Sequence, residues 1–303
     1  MDIAITNFYK FAPLSEQDVE SIRALLLTRA AELHVQGLVV LAREGINATI
    51  AGSPDSIEAL KAWLTKESVF APLEFKDSRA TKMPFRRFKV DVRPEIVTFG
   101  HATATEQELK ASMLSPQQWH ERMTGGEKPI LIDLRNTYET ALGTFRGAVD
   151  PHIDVFTEFP AFIEKAHIPR DREILMYCTG GIRCEKAFGY MQALGFTKAR
   201  QLAGGILRYL EEFPNGEFQG ECFVFDHRVA VDQELQPSER YKLCVQCGDP
   251  AEEMISCRNC GTLRAVCESC RSDPLKQACS KNCAYHLRRR NERGVNESGK
   301  DAA

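Results

Sequence analysis

Eight cysteines fall within forty residues, in four pairs: Cys244 with Cys247, Cys257 with Cys260, Cys267 with Cys270, and Cys279 with Cys283. The same stretch holds few large apolar side chains, chiefly Val245, Met254, Ile255, Leu263, Val266 and Leu275. At ~25 cal/mol per Å² buried, these cannot offset an ordering cost of ~1.5 kcal/mol per residue. Metal–thiolate bonds can, at ~10–16 kcal/mol per structural zinc site. Zinc takes four ligands at tetrahedral corners, and two thiolates of one short turn reach the same ion. The segment is therefore expected to bind two structural zinc ions with four cysteines each. Sequential pairing and cross-braced pairing (first with third, second with fourth) fit the spacing equally, and iron–sulfur ligation is the competing reading.

A chain of 303 residues should hold two or three domains. No apolar run approaches membrane-spanning length, and the opening MDIAITNFYK has neither the basic region nor the apolar stretch of an export signal. A cytoplasmic protein without a membrane partner is expected, and in a reducing compartment clustered cysteines mean metal or catalysis. Residues 1–100 read as β-α-β-β-α-β with one extended segment more: strands at 3–11, 37–42 and 48–51, further extended segments at 73–76 and 88–92, and helices opening at Ser15, in a capping box with Asp18, and at Ser53. That order predicts a ferredoxin-like α+β sandwich, a fold shared with acylphosphatase-like domains. Residues 101–220 begin as a linker ending in a helix at 115–123. They continue as an α/β domain whose short, largely apolar strands at 130–134 and 173–177, without period-two alternation, suit a parallel sheet covered on both faces. A connector at 221–240, the cysteine module at 241–287 and a disordered tail at 288–303 complete the expected multidomain α/β organisation.

Strand 174–177 runs into Cys178-Thr179-Gly180-Gly181-Ile182-Arg183, with a helix following from Cys184. A cysteine between a strand end and a helix N-terminus sits among free amides at a positive dipole end, which lowers its pKa and makes it nucleophilic. Gly180 and Gly181 let the loop curl so that successive N–H groups point inward, and Arg183 adds a fixed charge. The competing reading is a small buried cysteine in a tight turn. Four residues between cysteine and arginine make a smaller cradle than the five of the tyrosine phosphatase pattern, one suited to a terminal sulfur. Cys184 is a candidate resolving thiol, though a small residue packed under the loop is the preferred reading.

The loop, with Asp133-Leu134-Arg135-Asn136, Gly143-Thr144-Phe145-Arg146-Gly147-Ala148 and Leu202-Ala203-Gly204-Gly205-Ile206, resembles the rhodanese superfamily over about residues 115–215. That resemblance implies a persulfide-forming Cys178. The fuller string from Cys178 to Lys186, with the turn Arg43-Glu44-Gly45-Ile46-Asn47 and the C-terminal cysteine pairs, is similar to the bacterial tRNA uridine-34 hydroxylases over about residues 1–285. This narrower resemblance implies oxygen-dependent 5-hydroxylation of the wobble uridine, with tRNA as partner and molecular oxygen as co-substrate. A sulfurtransferase or persulfide carrier, served by a sulfur donor, is the alternative.

Charge is unevenly spread. Residues 101–239 carry a net −7 and residues 240–293 a net +5. Between 76 and 93 seven basic side chains face two acidic ones, with Phe85 and Phe88 interleaved. Lys82, Arg86, Arg87 and Lys89 are the candidate RNA contacts, the aromatics being suited to base stacking. A solvated edge strand kept from aggregating by its charge fits equally well. No G-x-G-x-x-G fingerprint and no Walker loop occur, so no flavin, nicotinamide or ATP site is visible.

Overall fold

Ser15 accepts a hydrogen bond from the Asp18 amide and donates its own amide to the Asp18 carboxylate at 2.9 Å. This reciprocal cap opens α1 (Glu16–Glu32) between β1 (Ile3–Phe11) and β2 (Gln36–Ala42). β3 (Gly45–Gly52), α2 (Pro54–Glu67), β4 (Lys76–Ala80) and β5 (Phe88–Val92) follow. The sheet order β4-β1-β3-β2-β5 is the ferredoxin-like order with β5 added parallel to β2. The computed structural model describes residues 2–126 and 128–298. They fall into two compact units: the chain up to 226 with 230–237, and 227–229 with the chain from 238.

Strand alternation sorts the first sheet into two faces. Phe8, Val39, Leu41, Ile46, Ala48 and Ile50 pack beneath α1 and α2. The opposite face carries Ile3, Ile5, Ala51 and Ala80, covered in part by Met83 and Phe85. Asn7 and Tyr9 continue this second face along β1. The strand expected at 73–76 begins only at Lys76, paired with Asn7, because Leu73 and Phe75 turn into the helical core before the ladder starts.

The expected linker after residue 100 is more structured than its composition suggests. Thr105 and Glu108 form another capping box at the head of α3 (Glu106–Ser112), which leads into β6 (Met113–Leu114) and α4 (Pro116–Thr124). The Thr-x-x-Glu signal is present in the sequence, but two-residue β6 exists only through its tertiary pairing. After β7 (Ile130–Asp133) come α5 (Thr137–Thr140), β8 (Gly143–Phe145), α6 (Phe159–Lys165), β9 (Ile174–Tyr177), α7 (Ile182–Ala193), β10 (Ala199–Leu202) and α8 (Gly205–Glu212). The sheet β6-β10-β9-β7 is wholly parallel. Ile132, Ile174 and Met176 pack toward Phe188 and Met191 on one face, while Leu131, Leu175 and Tyr177 pack toward Trp119, Ile206 and Tyr209 on the other. The expected connector adds Cys222, Val224 and Val231 to this second layer, so it belongs to the core it follows.

Lys186 on α7 is 2% exposed and donates to Glu44 at 2.5 Å and to Glu95 at 2.8 Å. It thereby ties the parallel-sheet domain to the turn after β2 and to the segment after β5. In the second unit, two short hairpins, β11 (Lys242–Leu243) with β12 (Pro250–Ala251) and β13 (Met254–Ser256) with β14 (Leu263–Ala265), precede α9 (Glu268–Arg271) and α10 (Lys281–Ser298). α10 runs through Ser298, across most of the tail expected to be disordered from 288, a stretch without proline; residues 299–303 lie outside the described residues. Among the described residues no helix is long and apolar enough to cross a membrane.

Removing the Lys186 ammonium leaves two carboxylates facing each other without their cation. Lys186→Ala should lower unfolding stability by about 1–3 kcal/mol in urea titration. An unchanged midpoint would show that the contact contributes nothing.

Candidate active site and metal centres

β9 ends at Tyr177, and the loop Cys178–Gly181 turns at once into α7. Gly181 caps the helix at φ +101°, in the left-handed region where glycine is favoured. Gly205 at the start of α8 is the second steric requirement: a Cβ there would stand 2.5 Å from the Cys178 carbonyl oxygen and 2.6 Å from that of Thr179. Amides of α8 fix the loop from this side, Ile206 donating to the Cys178 carbonyl at 3.0 Å and Leu207 to that of Thr179 at 3.1 Å.

Cys178 is 1% exposed. Burial pushes its thiol up, but the Cys184 thiol, the Arg183 charge and the amides of Arg183 and Gly181 outweigh it and hold the pKa down to about 5. The Gly181 amide reaches Sγ at 3.1 Å. Cys178 is thus a thiolate at neutral pH, in a nest of the kind its sequence context predicts. Burial, together with the neighbouring thiolate, drives the Cys184 pKa well above its ordinary value, so it remains a thiol and donates to Cys178.

Arg183 does not point freely into the cradle. Its guanidinium grips Glu139 in a buried bidentate pair at 2.6 and 2.7 Å, and Glu139 also accepts from Thr179 at 3.3 Å. Arg183 therefore braces the loop against α5 while its charge still favours the thiolate. Gly180 faces the ferredoxin-like sheet: a Cβ on it would lie 3.4 Å from Asn7 Oδ1.

The first-domain sheet supplies side chains that sequence reading did not place here. Tyr9 donates to Glu185 at 2.7 Å, and a Cβ on Gly181 would lie 2.9 Å from the Tyr9 hydroxyl oxygen. Burial pushes the Glu185 carboxyl up to about 7 against the opposing pull of the Tyr9 hydrogen bond and of Lys76 and Lys10. The Lys76 ammonium lies 4.8 Å from the Tyr9 ring centroid. The one available signal was strand parity, which puts the partner of Asn7 on the same sheet face as Tyr9.

Lys82, Arg86, Arg87 and Lys89 are all exposed near the β4–β5 connection, with Lys89 paired to Asp91 at 2.7 Å. The expected stacking aromatics are less available. Phe85 packs against Ile3, Ile5 and Ala80, and Phe88 against the core beneath the helices.

In the second unit the eight cysteines form two groups that could each hold a metal ion: Cys244, Cys247, Cys267 and Cys270, and Cys257, Cys260, Cys279 and Cys283. Pairing is thus cross-braced, first with third and second with fourth. Sulfur–sulfur distances of 3.4 to 3.8 Å suit a tetrahedron with metal–sulfur bonds of ~2.3 Å. Gly248 at φ +91° and Gly261 at φ +76° close the two hairpin turns, each donating back to the first cysteine's carbonyl. His286 belongs to neither group.

Three family models cover this architecture: a UPF0176 acylphosphatase like domain over residues 3–96, a rhodanese-like domain over 115–212, and a rhodanase C-terminal region over 219–284. A tRNA uridine(34) hydroxylase of Bdellovibrio bacteriovorus is 48% identical over 287 residues, covering 93% of this chain and 81% of that one. Proteins of the same description from Legionella pneumophila (strain Lens) and Synechococcus elongatus are 45% and 41% identical. They align with 77% and 82% of this chain and with 92% and 93% of their own lengths. With relatives this similar over most of its length, this chain belongs to the tRNA uridine(34) hydroxylase family.

Proposed function

We propose that this protein hydroxylates C5 of uridine 34 in tRNA, with Cys178 as the reacting group and molecular oxygen as co-substrate. The observation that carries this reading is a buried cysteine whose sulfur accepts the Gly181 amide at 3.1 Å at the head of α7, in a chain of this family. C6 of uracil is electrophilic. Addition of the Cys178 sulfur to C6 forms an S–C6 bond and moves the C5–C6 π pair toward C5 and the C4 oxygen. C5 then becomes the nucleophilic carbon that the incoming oxygen needs. One atom of dioxygen ends on C5 and the other leaves as water, which draws two electrons and two protons from an external reductant and solvent; loss of the C5 proton then expels the Cys178 thiolate from C6 and restores the C5–C6 double bond. Arg183 and the Gly181 amide hold the sulfur in its anionic form, and Gly180 keeps the loop flat against the neighbouring sheet.

Lys82, Arg86 and Arg87 are the exposed cations offered to the RNA backbone, in a soluble, cytoplasmic enzyme. Zinc is the ion best suited to both cysteine groups, since four thiolates close a tetrahedral site with no position left for substrate. Each ion would hold the fold of the second unit and take no part in the chemistry.

Cys178→Ser should leave the thermal transition in place and reduce 5-hydroxyuridine at position 34 to background. Mass spectrometry of wobble nucleosides from a complemented deletion strain reads this, and a fully active variant refutes the role of Cys178. A parallel thiosulfate:cyanide assay separates the alternative, because a sulfurtransferase would turn over there and leave the wobble nucleosides unchanged. With thiolate as the active form and a pKa of about 5, kcat/KM should be level near neutrality and fall as pH drops through about 5. A fall centred near 9 would mean an unperturbed thiol. Elemental analysis should find two zinc ions per chain, and chelation should unfold the second unit while the parallel-sheet core stays folded. No metal in an ordered second unit would overturn the assignment.

A further inference from the structure

Lys76 is only 6% exposed, its ammonium just reaching solvent, yet among the described residues it makes no ion pair and no hydrogen bond. A buried cation is costly unless compensated. Its one close partner is the Tyr9 ring face at 4.8 Å, a weak compensation. Glu74, Glu185, Glu211 and Cys178 act on it only through space. β4 directs Lys76 to this place because its register partner is Asn7, on the sheet face that meets the Cys178 loop. Around it, a Cβ on Gly204 would lie 3.5 Å from Lys76 Cε, and one on Gly181 would lie 3.7 Å from the Gly204 amide. The ammonium therefore stands at the rim of the loop that holds the thiolate, on the side supplied by the other domain.

We propose that Lys76 binds an anionic oxygen of the tRNA substrate beside Cys178, so that the acylphosphatase-like domain completes the active site. Two substrate oxygens have the required chemistry. One is the C4 oxygen of uracil, which takes up negative charge as the Cys178 sulfur bonds to C6 and the ring π pair moves onto it. The other is a phosphate oxygen next to the wobble nucleotide. Tyr9 and Glu185 are positioning residues here: their 2.7 Å hydrogen bond fixes the ring that Lys76 stacks on.

The inference rests on the reading of Cys178 as the reacting group, so the test carries Cys178→Ser alongside Lys76→Met and Lys76→Arg. Initial hydroxylation rate at saturating tRNA and Kd for tRNA are measured with unmodified tRNA from a deletion strain. Lys76→Met removes a buried charge that has no protein partner, so its melting temperature should equal or exceed the parent's. If the C4 oxygen is bound, Lys76→Met should lose on the order of 10²-fold in rate with Kd unchanged, the scale of losing one oxyanion donor. If a phosphate is bound, Kd should rise while the rate at saturation is retained. Lys76→Arg should recover part of either loss. A folded Lys76→Met protein within twofold of the parent in both rate and Kd overturns the inference. So does failure of both variants to fold, which would make the ammonium a structural element. An active Cys178→Ser protein instead refutes the underlying reading of the site.

Discussion

The first turn of α7 holds the structure of the first unit together. Arg183, Glu185 and Lys186 are three charged side chains on one helical turn, all buried, and each is committed to a different element. Arg183 binds Glu139 of the rhodanese domain itself, Glu185 binds Tyr9 on β1, and Lys186 binds Glu44 after β2 and Glu95 after β5, at one end of the acylphosphatase-like sheet. Buried charges are costly without such partners, and removing one partner leaves the other uncompensated. The turn that positions Cys178 is therefore also the turn that docks the neighbouring domain. The Cys-Glu-Lys that follows Arg183, beyond the general rhodanese resemblance, supplies this docking.

The thiolate follows from the balance inside that same turn. Burial alone would protonate Cys178, as it does Cys184 one turn on and Cys222 elsewhere in the core, whose thiol is pushed up to about 12. Cys178 differs because hydrogen-bond donors and a cation converge on its sulfur. Gly205 allows α8 to press against the loop carbonyls from the opposite side, so those donors cannot relax away.

The second unit solves a different problem by different means. Its hairpin strands are two or three residues long, and its apolar clusters are built largely from alanine and the cysteines themselves. Cross-bracing interleaves the two cysteine groups, so that neither half of the unit can order without the other.

Local chemistry made much of this legible in the sequence. The capping box at Ser15, the apolar strands ahead of Cys178, the glycines of its loop and the four cysteine pairs each act through neighbours a few residues away. The cysteine spacing required two four-thiolate groups but left their pairing open, because pairing depends on how hairpins separated by ten residues come together. Lys76 shows the same divide. In the sequence it is one of seven basic residues in a run, indistinguishable from Lys82 or Arg86. Only the pairing of β4 with β1 buries it beside Tyr9, and only the docking of that sheet on α7 brings it to Cys178. Which charges face water and which face the thiolate is set by contacts more than a hundred residues apart, and no local pattern encodes them.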